Sequence, residues 1–248
     1  MKQVIAVSLL STYLFCEDNH KLFLEANEMY VNENYNRSIE IYESIIRSDL
    51  TNSSVFYNLG NSYFRIKKYG QAIWAYRHAN RISPRDKDIL HNLKIAELFK
   101  IDRINQPKSF IFHEFYKEIK SNFALFEWLL IGSVLFFLLS LISFYQSYYD
   151  LRTRILTNIP QVILVLIIIV HSIAMDKYFQ ERKIGEQAII LEEVDARSAP
   201  LFGNNKILFQ INEGSMVELL EEKNDWSQII LLDGKKGWIT SKSIRKMK

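Results

Sequence analysis

The side chains that most often carry catalysis or bind metals are few in this sequence and lie far apart. The single cysteine cannot form a disulfide within the chain or a cysteine-based zinc site. The five histidines do not stand at metal-ligand spacing from one another: His20, His78, His91, His113 and His171. The sequence also contains no nucleophile elbow, phosphate-binding loop or dinucleotide fingerprint. It therefore predicts a protein without catalytic residues, a cofactor or a metal.

Two asparagines recur at a fixed spacing and could bind a peptide, because an amide side chain both donates to and accepts from a peptide backbone. Asn27 and Asn61 are 34 residues apart, in segments 26–42 and 60–76 that align with each other. A fixed period of this length indicates a helical repeat whose units stack on one another. The asparagines are either peptide-binding groups or ordinary polar surface, and the spacing allows both.

Eight positions of the second repeat carry the signature of a tetratricopeptide repeat, which this segment resembles. They are Phe56, Leu59, Gly60, Tyr63, Ala72, Tyr76, Ala79 and Pro84. The first repeat keeps only part of this signature, and a third helix that begins at residues 86–88 is expected to cap the pair.

This resemblance implies that a concave face binds extended or helical peptides. Its residues here are Asn27, Tyr30, Asn61, Phe64 and Arg65. Where a carboxylate clamp would need basic residues, the third helix has His91 and Ile95, so capture of a C-terminal carboxylate is not expected.

Composition and charge exclude two further classes of protein. Apolar residues make up 48% and charged residues 24%, which supports a folded core rather than a disordered chain. The net charge of +3 gives no indication of the basic surface of a nucleic-acid-binding protein.

Charge is uneven within the repeats, because residues 17–50 hold eight acidic and three basic side chains, whereas residues 51–84 hold five basic and no acidic ones. This asymmetry either attracts a partner or helps the two repeats pack together.

Apolar segments predict export and insertion into a membrane. Residues 1–16 have the pattern of a secretory signal, and Cys16 at its end is either lipidated or simply part of the signal. Segments 126–149 and 155–175 are long and apolar enough to span a bilayer, and only the turn 150–154 separates them. Such a hairpin places both flanking parts on one side, which the signal predicts to lie outside the cytoplasm. His171 in the second span is expected to be neutral and bonded to the neighbouring helix.

Residues 186–248, here called the tail, have the pattern of five short strands separated by turn residues. Four short stretches follow one another as they do in bacterial SH3 domains, which the tail resembles: Arg197-Ser198-Ala199-Pro200, Glu213-Gly214, Asp225-Trp226 and Gly237-Trp238-Ile239. The resemblance implies a small all-β barrel with an aromatic groove at Trp226 and Trp238. The ligand of that groove is either a peptide or peptidoglycan.

The order of these segments resembles the BatE family of the bacterial Bat aerotolerance operons. Residues 86–93 (DKDILHNL) and 102–104 (DRI) carry the similarity. The expected fold is a multi-domain membrane protein with an all-α tetratricopeptide superhelix, a two-helix transmembrane hairpin and a C-terminal all-β SH3-like barrel. Its expected segments are a signal (1–16), repeats with a cap (17–105), a juxtamembrane segment (106–125), spans (126–149 and 155–175) joined by a turn (150–154), a linker (176–185) and the barrel (186–248).

The resemblance also implies a function. It points to a non-catalytic scaffold in the bacterial inner membrane, with the repeats and the SH3-like domain on the periplasmic side. The implied partners are membrane proteins with von Willebrand A domains and other Bat-operon products. The alternative is a cell-wall anchor, whose tail binds peptidoglycan while its repeats recruit a client protein.

Overall fold

The computed structural model describes residues 19–48, 52–100, 111–149, 154–184, 186–201 and 206–247. The predicted signal and Cys16 lie outside these residues. The chain divides into two compact units. One, the repeat–tail unit, joins Met1–Pro107 with Gly185–Lys248, and the other, the hairpin unit, is Lys108–Ile184. The repeats and the tail, expected as separate modules, therefore belong to the same compact unit.

The described residues in the first part of the repeat–tail unit form five helices. They are α1 (residues 19–31), α2 (Tyr35–Arg47), α3 (Ser53–Arg65), α4 (Tyr69–Ile82) and α5 (Lys87–Leu98). The Asn52 side chain accepts from the N–H of Val55 at the start of α3, and the Asp86 carboxylate accepts from two N–H groups at the start of α5. Each cap satisfies N–H groups that have no partner within their own helix. Asp86, at the predicted start of the third helix, is thus the cap of α5.

The 34-residue period recurs in the backbone as well as in the sequence. The turns α1–α2 and α3–α4 each contain one non-glycine residue in the left-handed region, Glu33 at φ 60° and Lys67 at φ 62°. Between α3 and α4, a Cβ added to Gly60 would lie 2.6 Å from the Tyr76 ring, so only glycine permits this contact. Gly60 therefore lets these two helices approach closely.

The described part of the hairpin unit consists of α6 (Ile111–Asn122), α7 (Leu125–Tyr148) and α8 (Arg154–Ile184). Helices α7 and α8 are long and apolar enough to cross a membrane, and only 11% and 6% of their most apolar stretches are buried. Helix α8 continues to Ile184, so most of the segment expected as a linker (176–185) is helical.

Helices α7 and α8 approach each other closely at His171, but the hydrogen bond of this side chain differs from the expected one. A Cβ on Gly132 of α7 would lie 2.8 Å from Cε1 of His171 on α8. The imidazole Nδ1 donates to the carbonyl oxygen of Ile167 at 2.9 Å. The expected hydrogen bond to the neighbouring helix is therefore wrong: the partner lies one turn earlier in the same helix.

The described part of the tail is a seven-stranded antiparallel sheet with the order β3-β2-β6-β5-β4-β1-β7. The strands are β1 (Gln187–Ile190), β2 (Val194–Arg197), β3 (Ile207–Ile211), β4 (Met216–Lys223), β5 (Trp226–Ile230), β6 (Lys236–Thr240) and β7 (Ile244–Lys246). Five correspond to the predicted strands, and β2 and β7 are additional. Alternate side chains, among them Ile190, Ile211, Val217, Ile229 and Ile239, form its buried core.

Candidate functional site

The two repeated asparagines lie in a ladder of hydrogen bonds that links successive repeats. The Oδ1 atom of Asn27 accepts from the Tyr42 hydroxyl at 2.6 Å and from Nδ2 of Asn58 at 2.8 Å. Each of these residues has a counterpart 34 positions later with the same two bonds, at 2.7 and 2.9 Å: Asn61, Tyr76 and Asn92. The second set ends on α5, so this capping helix occupies the position of a third repeat's first helix.

Burial makes this ladder a rigid part of the repeats. Tyr42 and Tyr76 are almost completely buried, and this burial raises the pKa of Tyr42 to about 12 and raises that of Tyr76 further. Both hydroxyls therefore stay protonated and donate to the asparagine oxygens. One amide atom of each asparagine is thus committed to neighbouring helices, which the sequence could not distinguish from a ligand-binding role.

A cavity of about 400 Å³ opens beside the second rung of this ladder. Four of the five side chains predicted for the concave face line it: Tyr30, Asn61, Phe64 and Arg65. Asn27, the fifth, is not among its lining residues and belongs to the first rung. The remaining lining residues are Tyr57, Tyr76, Asn92 and Ile95. Tyr57 stands one helical turn before Asn61, so the same periodicity could have included it.

The cavity is aromatic, polar and positively charged. Arg65 is exposed, and its Nε donates to the Tyr30 hydroxyl at 3.2 Å. This bond holds the pKa of the guanidinium above its ordinary value. No acidic side chain is among the described lining residues. The site can therefore stack a ring or an apolar side chain and bind an anionic or hydrogen-bond-accepting group at Arg65.

Packing of three aromatic rings fixes the rim of the cavity. Phe64 lies 5.5 Å from both Tyr69 and Phe99, measured between ring centroids, and Tyr69 stacks on Phe99 at 4.5 Å. These residues come from α3, the start of α4 and the end of α5. Phe64 is therefore held in place before any ligand binds, which lowers the entropic cost of binding.

The two tryptophans predicted for a groove in the tail are both buried. Trp226 begins β5 and is 6% exposed, and Trp238 lies in β6 and is 9% exposed. A separate cavity of about 290 Å³ lies between β1, β4 and the end of β5, and neither tryptophan lines it. The aromatic groove stays a prediction.

Comparison with known proteins shows that the tail is similar to a known family of domains. Residues 192–245 match the family model of the bacterial SH3 domain. This confirms the SH3-like expectation for that segment. No curated protein sequence matches the chain.

The SH3 domain packs directly on the helical repeats, a contact that no sequence pattern predicted. Arg245 of β7 donates to both carboxylate oxygens of Glu43 on α2, at 2.6 and 2.8 Å. Its guanidinium carbon lies 3.4 Å from the ring centroid of Trp74 on α4. The indole N–H of Trp74 in turn donates to the carbonyl oxygen of Lys246 at 2.8 Å. Strand β7 is thus held by an ion pair, a cation–π contact and a hydrogen bond.

A second group of contacts extends this interface along α4. The backbone N–H of Gly70 donates to the Glu213 carboxylate of the SH3 domain at 2.6 Å. A Cβ on Gly70 would lie 2.5 Å from the carbonyl oxygen of Ile190, so this glycine allows β1 to approach the helix. Burial raises the pKa of Glu213, against the hydrogen bond from Gly70, which lowers it.

His78 lies in the same interface and is held neutral. It is 1% exposed, stacks on Phe56 with 4.8 Å between ring centroids, and lies 4.3 Å from the Trp74 ring. Burial, together with the charges of Arg81 and Arg245, lowers the pKa of His78 to about 3.

Among the residues that the structure describes, no cluster of three or more His, Cys, Asp or Glu side chains could hold a metal ion.

Proposed function

We propose that this protein is a non-catalytic, membrane-anchored scaffold whose helical repeats, of the tetratricopeptide type, bind a segment of a partner protein. The observation that carries this proposal is the cavity between α1, α3 and α5. Its walls combine a preorganised aromatic ring, Phe64, with an exposed cation, Arg65, and with hydrogen-bonding groups of Tyr57 and Asn92. This combination suits a peptide with an apolar or aromatic side chain next to an acidic group.

The proposed location is the bacterial inner membrane, with the repeats and the SH3 domain on the periplasmic side. Helices α7 and α8 support membrane anchoring, because they expose apolar surface along lengths sufficient to cross the hydrocarbon core. The expected export signal supports the periplasmic side.

The proposed partners follow from the resemblance to the Bat family. They are membrane proteins with von Willebrand A domains and other Bat-operon products. Membrane anchoring of both proteins would raise their effective concentration, so a small cavity of modest affinity could still hold the complex together.

A pull-down of the full-length protein from mild-detergent membranes tests this proposal. The informative variant carries Phe64→Ala and Arg65→Ala, because neither side chain belongs to the asparagine ladder. Arg37→Ala is the matched control, since Arg37 is an exposed arginine of α2 whose ion pairs are with Glu25 and Glu40. We expect membrane proteins with von Willebrand A domains to co-purify with the parent and the control but not with the double variant. Equal recovery with a folded double variant would exclude the cavity as the binding site.

The match to bacterial SH3 domains favours a second candidate function, a cell-wall anchor. In this alternative the SH3 domain binds peptidoglycan and the repeats recruit a client. Sedimentation of the detergent-solubilised full-length protein with purified cell-wall sacculi distinguishes the two. Saturable sedimentation of the protein with sacculi, in the absence of a protein partner, would favour the cell-wall anchor. If the protein stays in the supernatant, the scaffold is the better supported function.

A further inference from the structure

Helix α6, which precedes α7, exposes an apolar face. Phe112 is 87% exposed and Phe115 is 62% exposed. Together with Ile119 they follow the spacing i, i+3 and i+7, which places them on the same side of a helix. Lys117 lies about 140–160° around the helix axis from both phenylalanines and is exposed. The helix is therefore amphipathic, with two large aromatic rings that nothing described in the hairpin unit covers.

Polar contacts fix α6 to α8 at one place. The Asp176 carboxylate accepts from the Tyr116 hydroxyl and from Nζ of Lys120, both at 2.6 Å. The neighbouring Lys177 donates to the carbonyl oxygens of Lys120, at 3.2 Å, and of Phe123. A cation at these last carbonyls satisfies groups that have no partner within α6 and complements the helix dipole. The position of α6 along α8 is thus set by residues 176 and 177.

This attachment point coincides with the end of the apolar stretch of α8. Residues 155–175 carry no formal charge, and Asp176 is the first charged residue after them. Where a spanning helix changes from apolar to charged residues, it leaves the hydrocarbon core and enters the headgroup region. Helix α6 is therefore attached at the depth at which a bilayer meets water, where amphipathic helices bury phenylalanine side chains.

We infer that α6 lies in the bilayer interface, with Phe112 and Phe115 inserted at the boundary between headgroups and acyl chains. This inference rests on the membrane anchoring in the proposed function. A lipid surface fits better than a protein partner, because two phenylalanine rings offer roughly 300–500 Å² of apolar surface. A standard protein interface needs about 800 Å² from each partner. A helix with aromatic rings on one face and charge on the other is typical of a membrane surface, and here Lys117 lies on the side opposite the rings.

Site-specific fluorescence of the full-length protein in lipid nanodiscs tests this inference. Each sample carries one cysteine, at Phe112→Cys or Lys117→Cys, in a Cys16→Ser background, and is labelled with an environment-sensitive dye. Nanodiscs are prepared with nitroxide lipids whose quencher lies either near the headgroup or deep in the acyl chain. A third sample, Leu138→Cys in the middle of α7, reports whether the hairpin itself enters the bilayer.

We expect the dye at position 112 to show blue-shifted emission and several-fold stronger quenching by the shallow nitroxide than the dye at position 117. A dye at 112 that the lipid quenchers do not reach, but that aqueous iodide does, would overturn the inference by placing the ring in water. A dye that neither quencher reaches would also overturn it, in favour of a protein that covers the helix. If the dye at 138 is quenched by the deep nitroxide, either of these results contradicts the interfacial position of α6 but not the membrane anchoring. Absence of quenching at 138 would refute the membrane anchoring and, with it, this inference.

Discussion

Replacing Arg245 should weaken the contact between the SH3 domain and the repeats more than any exposed charge would. Its ion pair with Glu43 is bidentate, and the two side chains are only 24% and 17% exposed. Exposed ion pairs contribute less than about 1 kcal/mol, whereas removing one member of a fully buried pair costs roughly 3–5 kcal/mol. The Trp74 ring contact adds about 1 kcal/mol. For Arg245→Ala we therefore expect a loss of roughly 3 kcal/mol of docking free energy.

Replacing the partner carboxylate should cost more. Oε1 of Glu43 also accepts from the Tyr63 hydroxyl at 2.8 Å, and Tyr63 is buried. Glu43→Ala leaves both the guanidinium and this hydroxyl without their acceptor, and each such loss is unfavourable in a buried site. In a variant that combines Arg245→Ala with Glu43→Ala, the two losses of docking free energy should not add, because both substitutions remove the same ion pair.

Amide hydrogen exchange of the full-length protein in detergent measures the docking directly. A loss of roughly 3 kcal/mol raises the open population about 100-fold, so peptides that contain β7 or α4 should exchange faster by that factor. Arg37→Ala is the control, because Arg37 and Glu40 are 54% and 66% exposed and should contribute little. If Arg245→Ala and Arg37→Ala change the exchange of β7 equally, the ion pair does not hold the SH3 domain on the repeats.

Three further outcomes are expected. Below pH 6.5 the unfolded chain binds a proton at His78, whereas the folded protein binds it only near pH 3, because folding lowers the pKa of His78 to about 3. The free energy of unfolding should therefore decrease as the pH is lowered from 6.5 to 3. The expected slope is about 1 kcal/mol per pH unit, and His78→Phe should remove it in urea unfolding at several pH values. Gly60→Ala should cost roughly 1–3 kcal/mol in thermal unfolding, since its Cβ would lie 2.6 Å from the Tyr76 ring. A cysteine in place of exposed Arg37 in the repeats and one in place of exposed Asp233 in the SH3 domain should react to the same extent with an impermeant maleimide in intact cells. The reason is that these two parts of the chain contact each other and so lie on the same side of a membrane.

The 34-residue period predicted the repeats well because it is a local property of the chain. It aligned Asn27 with Asn61, and the two asparagines make equivalent hydrogen bonds in the structure. The period could not decide what the asparagine oxygen binds, because that depends on the distance between neighbouring helices. In the structure the acceptors are occupied by side chains of the same fold, and Asn92 joins the cavity from α5, a helix that only tertiary packing brings beside α3.

The least predictable element was β7, which the sequence presents as a polar terminus. Ile244 is the single apolar residue in this three-residue strand, and the pairing partner β1 lies more than fifty positions earlier. Strand patterns are recognised from alternation within a segment, so a strand this short gives almost no signal. Its missed assignment also concealed part of the interface, because Arg245 and Lys246 are among the residues that contact α2 and α4.

The contact between the repeats and the SH3 domain also constrains how the chain can cross a membrane. By length and composition, each of α7 and α8 could cross a bilayer. The repeats precede α7 and the SH3 domain follows α8, yet Glu43 and Arg245 form a direct ion pair. Two parts of a chain can touch only on the same side of a membrane, so the number of crossings between them must be even. If one of α7 and α8 crosses, the other must cross as well, and the packing of the repeat–tail unit thereby supports a hairpin over a single span.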